Sequence, residues 1–521
     1  VEQEKPERTA GNTLAHTLTV ISAWCVGIFL HFHPTLLSGF ALMQAGQIDS
    51  RLNNFVLEHT YRWLLRWPNH QDLFAPDLLP STGLMFGFTD LLLGLAPCFW
   101  IWRFVGFDPE TSYQLWMMTL ASMNFLACFL LLRRFLSVGV VEAAFGSLIF
   151  AFNTAQFSRL LHQQLVPQFY VLIAIMALFV VFRTGTSRRL RCSAVFVFFL
   201  SWVVQFYSSF YSFFLLGLPF GAVLLWAFFV PVWRKAILRL GREHYFCLVT
   251  ALLLSLMLMW PLLSNYLQRL DRIGYLPQPF AKPKFYIWFL TDHSNLLYGW
   301  IRSGPFRYLQ GTQFAQGIGL VTSAAGCAGL FLFRRESYVK LICAGFITTV
   351  VLTFYLTNTI SIWPFLRDVI PGAKAIRAVC RVGMIQLIPA AIGLALLFFW
   401  LRQRRYRSLL VVVGLVCLLE QVNTGSKVLS KQDIQEKVHS LAGQVEPKTQ
   451  AFMLVPHEKR ADLAELAYWV ALASRTPTIN ARYIDRRVFS ERTGKEALDF
   501  VAKELKEKGM NNVQLIEVEC R

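Results

Sequence analysis

The sequence predicts a mainly α-helical protein, a polytopic transmembrane bundle of about eleven spans with a small α/β domain at its C-terminal end. Three observations carry that prediction. Of 521 residues, 55% are hydrophobic and only 16% charged, whereas ordinary soluble domains carry about 25% charged residues. The apolar residues gather into runs of about 20, enough to cross a hydrocarbon core about 30 Å thick. The Lys and Arg residues, which give a net charge of +19, sit in short clusters between those runs. A basic excess alone would suggest nucleic acid. Cationic turns between apolar runs are instead what holds loops on the cytoplasmic side of a membrane, so no nucleic-acid partner is expected.

Taken in order, the apolar runs place spans at 14–33, 112–132, 136–153, 167–183, 192–208, 210–233, 245–265, 315–333, 338–356, 382–401 and 408–422. The first run continues through Trp24, His31 and His33 with no small-residue cleavage pattern. It reads as a retained helix rather than a signal peptide. Spans 192–208 and 210–233 are nearly continuous and are expected to turn at Ser208–Ser209. If residues 1–13 are cytoplasmic, every inside turn is basic: Arg133–Arg134; Arg183 with Arg188, Arg189 and Arg191; Arg234, Lys235, Arg239 and Arg242; Arg334, Arg335 and Lys340; and Arg402, Arg404, Arg405 and Arg407. That is the positive-inside pattern, and an odd span number then puts the C-terminal domain outside. Ten cysteines are present without a CxxC pair, and most lie inside apolar runs. They imply neither a disulfide framework nor a zinc site.

Within the membrane core, 14–422, three outside loops (34–111, 266–314 and 357–381) carry most of the chemistry-bearing residues, as long structured loops commonly do. In the first, 50–67 reads as an interfacial helix. Leu52, Phe55, Val56, His59, Trp63 and Trp67 share one side, and Arg51, Asn54, Glu58, Arg62 and Arg66 the other. Leu84–Val105 is broken by Gly87, Gly94 and Pro97 and reads as a helix lying in the interface rather than a span. The second loop holds Arg269, Asp271, Arg272, Lys282, Lys284, Asp292 and His293, and the third Arg377 and Arg381. Residues 423–521 change to a soluble character: a strand at Ala451–Pro456, a helix at Lys459–Ser474, a helix opened by the Thr493–Glu496 capping box, and a strand at Val513–Val518.

No GxxxxGK[ST], HExxH, GxSxG or EF-hand pattern is present, so ATP-driven work is not indicated. Ionisable residues deep in the spans are almost absent, which counts against an ion-coupled transporter. Carboxylates, histidines and arginines grouped at the outer face instead suit a reaction on a lipid-linked phosphate. Arginine forks would hold the phosphate, and a carboxylate would take a proton from an acceptor hydroxyl.

The stretch Gln47–His59 followed by Tyr61–Leu64 resembles the first outside loop of bacterial polytopic GT-C-type glycosyltransferases, the YfhO-like group in particular. Further segments match in order: Asn124–Ala127 with Leu130–Arg134, His162–Tyr170, Pro371–Arg377 with Arg381, and Pro477–Asn480. The resemblance covers nearly the whole chain. It implies a GT-C-like core in a bacterial inner membrane, with the N-terminus cytoplasmic and the C-terminal domain extracytoplasmic. It also implies a polyprenyl-phosphate sugar as donor and a catalytic Asp in the first outside loop, where Asp49 stands. On this reading Arg377 and Arg381 hold the donor phosphate, and Glu58, His59, His162 and Gln163 shape an acceptor or metal pocket. A divalent cation, Mg or Mn, is a possible cofactor. The acceptor is a glycan, lipid or protein, and the tail domain would bind it or a partner subunit. Two departures stand out: Gln47–Ile48 where relatives often carry a second acid, and Ala481–Asp485 after the tail's Pro477–Asn480.

Simpler readings stand beside these. Asp49 would serve as a helix N-cap, Glu58 and His59 as a solvated interface pair, His162 and Gln163 as a polar cap between spans, and Arg377 and Arg381 as snorkelling anchors. A non-catalytic scaffold of the same fold and a lipid-linked sugar flippase are the alternative functions.

Overall fold

The computed structural model describes residues 10–79, 89–273, 281–304, 314–457, 462–480, 494–507 and 512–518. The chain runs α1 (Ala10–Leu37), β1 (Leu42–Met43), α2 (Asp49–Leu64), α3 (Ala96–Val105), α4 (Pro109–Leu130), α5 (Val140–Ala151), α6 (Thr154–Ser158), α7 (Phe169–Phe182), α8 (Arg188–Ser208), α9 (Phe210–Phe229), α10 (Pro231–Glu243) and α11 (Tyr245–Ile273). It continues with α12 (Gly299–Ser303), α13 (Leu320–Leu332), α14 (Ser337–Thr353), α15 (Trp363–Val369), α16 (Leu387–Gln403), α17 (Arg407–Leu419), β2 (Leu429–Ser430), α18 (Lys431–Ala442), β3 (Ala451–Pro456), α19 (Leu463–Ser474), α20 (Gly494–Glu507) and β4 (Val513–Val518).

Among the described residues, eight helical stretches are long and apolar enough to cross a bilayer, the first at Thr13–Leu37 and the last at Val379–Gln403. Each falls on one of the eleven apolar runs. The other three runs hold α13, α14 and α17, of 13, 17 and 13 residues. At 1.5 Å per residue these reach only about 20 to 26 Å. The chain is an integral membrane protein, mainly α, with a small sheet. The turn between α8 and α9 falls where expected: Ser209 is extended, and its hydroxyl accepts the Ser212 N–H at the start of α9. Close helix contacts use small residues. A methyl group at Gly329 of α13 would collide with the Gly393 carbonyl of α16, so glycine lets the two backbones touch.

Several expected elements differ from what is observed. The span expected at 210–233 ends at Phe229, and Pro231 then starts α10, because Pro fits a helix's first turn and not its interior. Of Leu84–Val105, residues 84–88 lie outside the described residues, and helix begins only at Ala96. The largest difference concerns α2. It was expected to lie in the interface with its polar side in water, yet Ser50 through Tyr61 are all buried. Its polar side meets protein. Arg51 pairs with Glu110 of α4 at 3.1 Å and lies 4.3 Å from the ring centroid of Trp469 in α19. Glu58 pairs with Arg62 and with Arg103 of α3, both at 2.8 Å. A polar stripe at helical spacing suits either surface. Partners far along the chain decide which.

The tail forms the small α/β unit. Strands β3 and β4 run parallel, in register from Ala451 opposite Val513 to Pro456 opposite Val518. Phe452 also bridges to Thr478, and the Asn480 side chain bonds both the N–H and the carbonyl of Leu454. The expected capping residue Thr493 lies outside the described residues. This unit is packed onto the first outside loop. β1 pairs with β2, the Thr478 N–H donates to the Leu78 carbonyl at 2.9 Å, and Phe55 meets Tyr468 with ring centroids 5.3 Å apart. One buried apolar cluster includes Phe55 and Val56 together with Phe452 and Val470.

Candidate active site

Asp49 begins α2, in the first turn, with Ile48 at the cap position and no side-chain capping bond made there. It is therefore not the N-cap that one simple reading gave it. The free N–H groups of that turn still favour a carboxylate. Ser50 closes the entry to the helix by accepting the Gly46 N–H at 2.9 Å. The same hydroxyl accepts from the Gln163 amide at 2.7 Å, and the Asn53 amide donates to both Gln163 and Gln164, at 3.0 and 2.9 Å. The segment after α6 is thus laced to the first turn of α2. That lacing carries His162, whose Nε2 lies 3.1 Å from Asp49 Oδ2, both side chains being only about a quarter exposed. Two of the residues singled out in the sequence, with separate expected roles, are in contact. Gln163, buried, does the positioning.

The cationic side of the site comes from the segment that leads into α16. The Arg381 guanidinium lies 4.8 Å from the Tyr211 ring centroid, a stacking geometry that favours Arg over Lys. The Tyr211 hydroxyl accepts the Arg377 backbone N–H at 2.9 Å, tying 377–381 to the start of α9. The Arg377 side chain itself is exposed.

Two further residues belong here that sequence reasoning did not single out. Asp90 accepts the Phe210 N–H at 2.8 Å and the Ser209 hydroxyl at 3.3 Å. Burial pushes its carboxyl up to about 6, opposed by those two bonds and the Arg381 charge and reinforced by the Asp49 charge. Asp90 is therefore within electrostatic reach of both Asp49 and Arg381. The second is Arg159, 3% exposed and close enough to Arg381 for mutual repulsion. Its Nη2 donates to Gln316 at 2.7 Å, while Nε and Nη1 have no partner among the described residues. A buried guanidinium with unmade hydrogen bonds is costly, and a tetrahedral anion would satisfy it. The available signals were a lone acid in an apolar run and a cation three positions before His162.

Glu58 and His59 lie elsewhere. They sit nine and ten residues along α2, about 13 to 15 Å from Asp49. Both Glu58 oxygens are engaged by arginines. His59 Nδ1 meets His70 Nδ1 at 2.8 Å. Asp292 is buried and accepts from Ser158 and Ser294, which makes it a loop tie. As for a divalent cation, Asp49 and His162 supply two donors, and no group of three His, Cys, Asp or Glu side chains converges among the described residues. A divalent cation there would need further oxygen donors beside these two side chains.

The chain has the fold of the polytopic GT-C membrane glycosyltransferases. It superposes on the apo oligosaccharyltransferase of Archaeoglobus fulgidus with a TM-score of 0.51 at 11% identity, over 97% of this chain and 70% of that one. ArnT from Cupriavidus metallidurans is also similar, with a TM-score of 0.49 and 11% identity. The match covers 97% of this chain and 89% of the apo structure, and 95% and 91% for the structure bound to undecaprenyl phosphate. At such identity the likeness is one of fold alone. No protein-family model and no curated protein sequence matches the chain.

Proposed function

We propose that this chain is a GT-C-type glycosyltransferase. It moves a sugar from a polyprenyl-phosphate donor to an acceptor hydroxyl at the extracytoplasmic face of a bacterial inner membrane. The single observation that carries the reading is the Asp49–His162 contact, 3.1 Å long, linked through the charge of Asp90 to the stacked Arg381.

In this reaction the acceptor oxygen attacks the anomeric carbon while the bond from that carbon to the donor phosphate oxygen breaks. Asp49 takes the hydroxyl proton. The His162 Nε2–H donates to Asp49 and fixes its orientation, with Ser50, Asn53 and Gln163 holding the two segments in register. The leaving group is the polyprenyl phosphate, whose negative charge Arg381 and Arg159 stabilise in a site with little water. The Tyr211 ring keeps Arg381 in place. Arg377, exposed at the rim, meets the phosphate from outside. The tail domain, locked onto α2, positions the acceptor or a partner subunit.

The test is to incubate the purified full chain with lipid-linked sugars and follow release of free polyprenyl phosphate together with appearance of a new glycosidic bond. Coupled release and transfer support the reading. Folded protein that consumes no donor, and copurifies with stoichiometric partners, would make it a scaffold of the same fold. Donor that changes leaflet without bond formation would make it a flippase.

A further inference from the structure

Far along α2 from Asp49, the seam between the first outside loop and the tail encloses a cavity of about 340 Å³, within the range of small-ligand sites. Its walls include Arg62, Trp67, Asn69 and His70 from the loop and Leu472 and Arg475 from the tail, and among the described residues no carboxylate lines it. Arg62 donates its Nε–H to Glu58 at 2.8 Å, and its guanidinium stacks on Trp67, 5.0 Å from the ring centroid. Glu58 is already shared with Arg103, and the Asp72 charge acts on His59, so two carboxylates stand against three guanidiniums once Arg475 is added. The neighbourhood is cationic.

The histidine pair fixes what else the cavity offers. His59 Nε2 lies 3.2 Å from the Leu73 carbonyl. A carbonyl only accepts, so this nitrogen carries hydrogen. Burial holds both rings well below the usual imidazole range, His59 at about 4 and His70 at about 3, and both are neutral at ordinary pH. A neutral imidazole has one N–H, so His59 Nδ1 is a lone pair. It can face His70 Nδ1 at 2.8 Å only if His70 Nδ1 bears the hydrogen. His70 Nε2 is then a lone pair too. The relay from Leu73 through two imidazoles thus ends in a hydrogen-bond acceptor on a residue of the same cavity wall that carries Arg62 and Arg475.

We infer that this seam binds an anionic sugar: a ring whose carboxylate or phosphate is held by Arg62 and Arg475, with a ring hydroxyl donating to His70 Nε2 and the Trp67 indole beside it. Arginines exclude a metal ion from that lone pair, and a simple anion would leave it unused. A ligand with both an anionic oxygen and a hydroxyl uses the whole wall. Because Leu472 and Arg475 of the tail complete a wall drawn mainly from the loop, the occupant would also clamp the tail against α2. The inference does not depend on the transferase reading.

The test is binding to the full chain in zwitterionic nanodiscs, by saturation-transfer NMR and calorimetry, with four probes: glucuronic acid, glucose 6-phosphate, glucose and sulfate. Glucuronic acid or glucose 6-phosphate should bind at least about tenfold more tightly than glucose or sulfate. The better of the two acids identifies the anion as carboxylate or phosphate. Arg475→Gln, a change at an exposed position, should weaken that binding about tenfold. His70→Leu should remove the preference over sulfate. If His70→Leu does not fold, the Arg475→Gln arm still decides. Equal binding of all four probes, no binding of any, or unchanged affinity in Arg475→Gln would overturn the inference.

Discussion

Replacing Glu58 with Gln separates structure from chemistry in α2. The Glu58 side chain is fully buried, with Arg62 on one oxygen and Arg103 on the other, both at 2.8 Å, and the two arginines keep 17% and 16% exposure. Breaking a buried ion pair by removing one partner costs about 3–5 kcal/mol. Here the charges left behind are guanidiniums that reach water, and the Gln amide keeps volume and an acceptor. That reduces the expected loss to about 2–3 kcal/mol. Read by tryptophan fluorescence melting in detergent, the loss corresponds to a fall of about 2–3 °C for a chain of 521 residues. Arg103→Gln should cost less, about 1 kcal/mol, because Arg62 remains. If Glu58→Gln melts with the wild type, the ion pairs behave as solvated ones, and the buried account of α2 is wrong.

Other expectations concern the clamp and the site. Trp469 donates its indole N–H to the Arg51 carbonyl at 3.2 Å and stacks with the Arg51 guanidinium. Trp469→Phe should therefore cost about 1 kcal/mol and Trp469→Ala about 3–5 kcal/mol, with the larger change speeding proteolysis of the tail. Arg381→Gln should weaken retention of the donor about tenfold or more without lowering the melting temperature; unchanged donor affinity would remove Arg381 from the phosphate site. Asp90 titrates near 6 in the folded chain, above its ordinary value near 3.8. In the window between those values the unfolded chain has already lost this proton and the folded chain still holds it, so stability falls as pH rises through it. Asp90→Asn should accordingly gain on the wild type in melting temperature from pH 4 to 7. A difference that does not change with pH would contradict the burial of that carboxyl.

The fold was legible where physics is local. Runs of apolar residues located the long helices, Ser209 marked a cap between two nearly fused runs, and the short continuous apolar run Ala451–Pro456 read as a buried strand. What could not be read was pairing across distance. The stripe of Arg51 and Glu58 looks the same at a membrane interface as in a protein seam. Only Glu110, Arg103 and Trp469, remote in sequence, make the seam. For the site, Asp49 and His162 were both singled out, but their contact depends on the Ser50–Gln163–Asn53 lacing, which no local pattern announces. Asp90 was hidden in an apolar run that looked like an interfacial helix. Arg159 was hidden beside a span that ends in irregular turns.

The most direct test of the central claim compares wild type, Asp49→Asn and Asp49→Glu in proteoliposomes supplied with a panel of radiolabelled polyprenyl-phosphate sugars. The account predicts label moving to acceptor in the wild type and partial transfer by Asp49→Glu. Asp49→Asn should give almost none, while all three melt together and retain donor. Transfer by Asp49→Asn at the wild-type rate would contradict it.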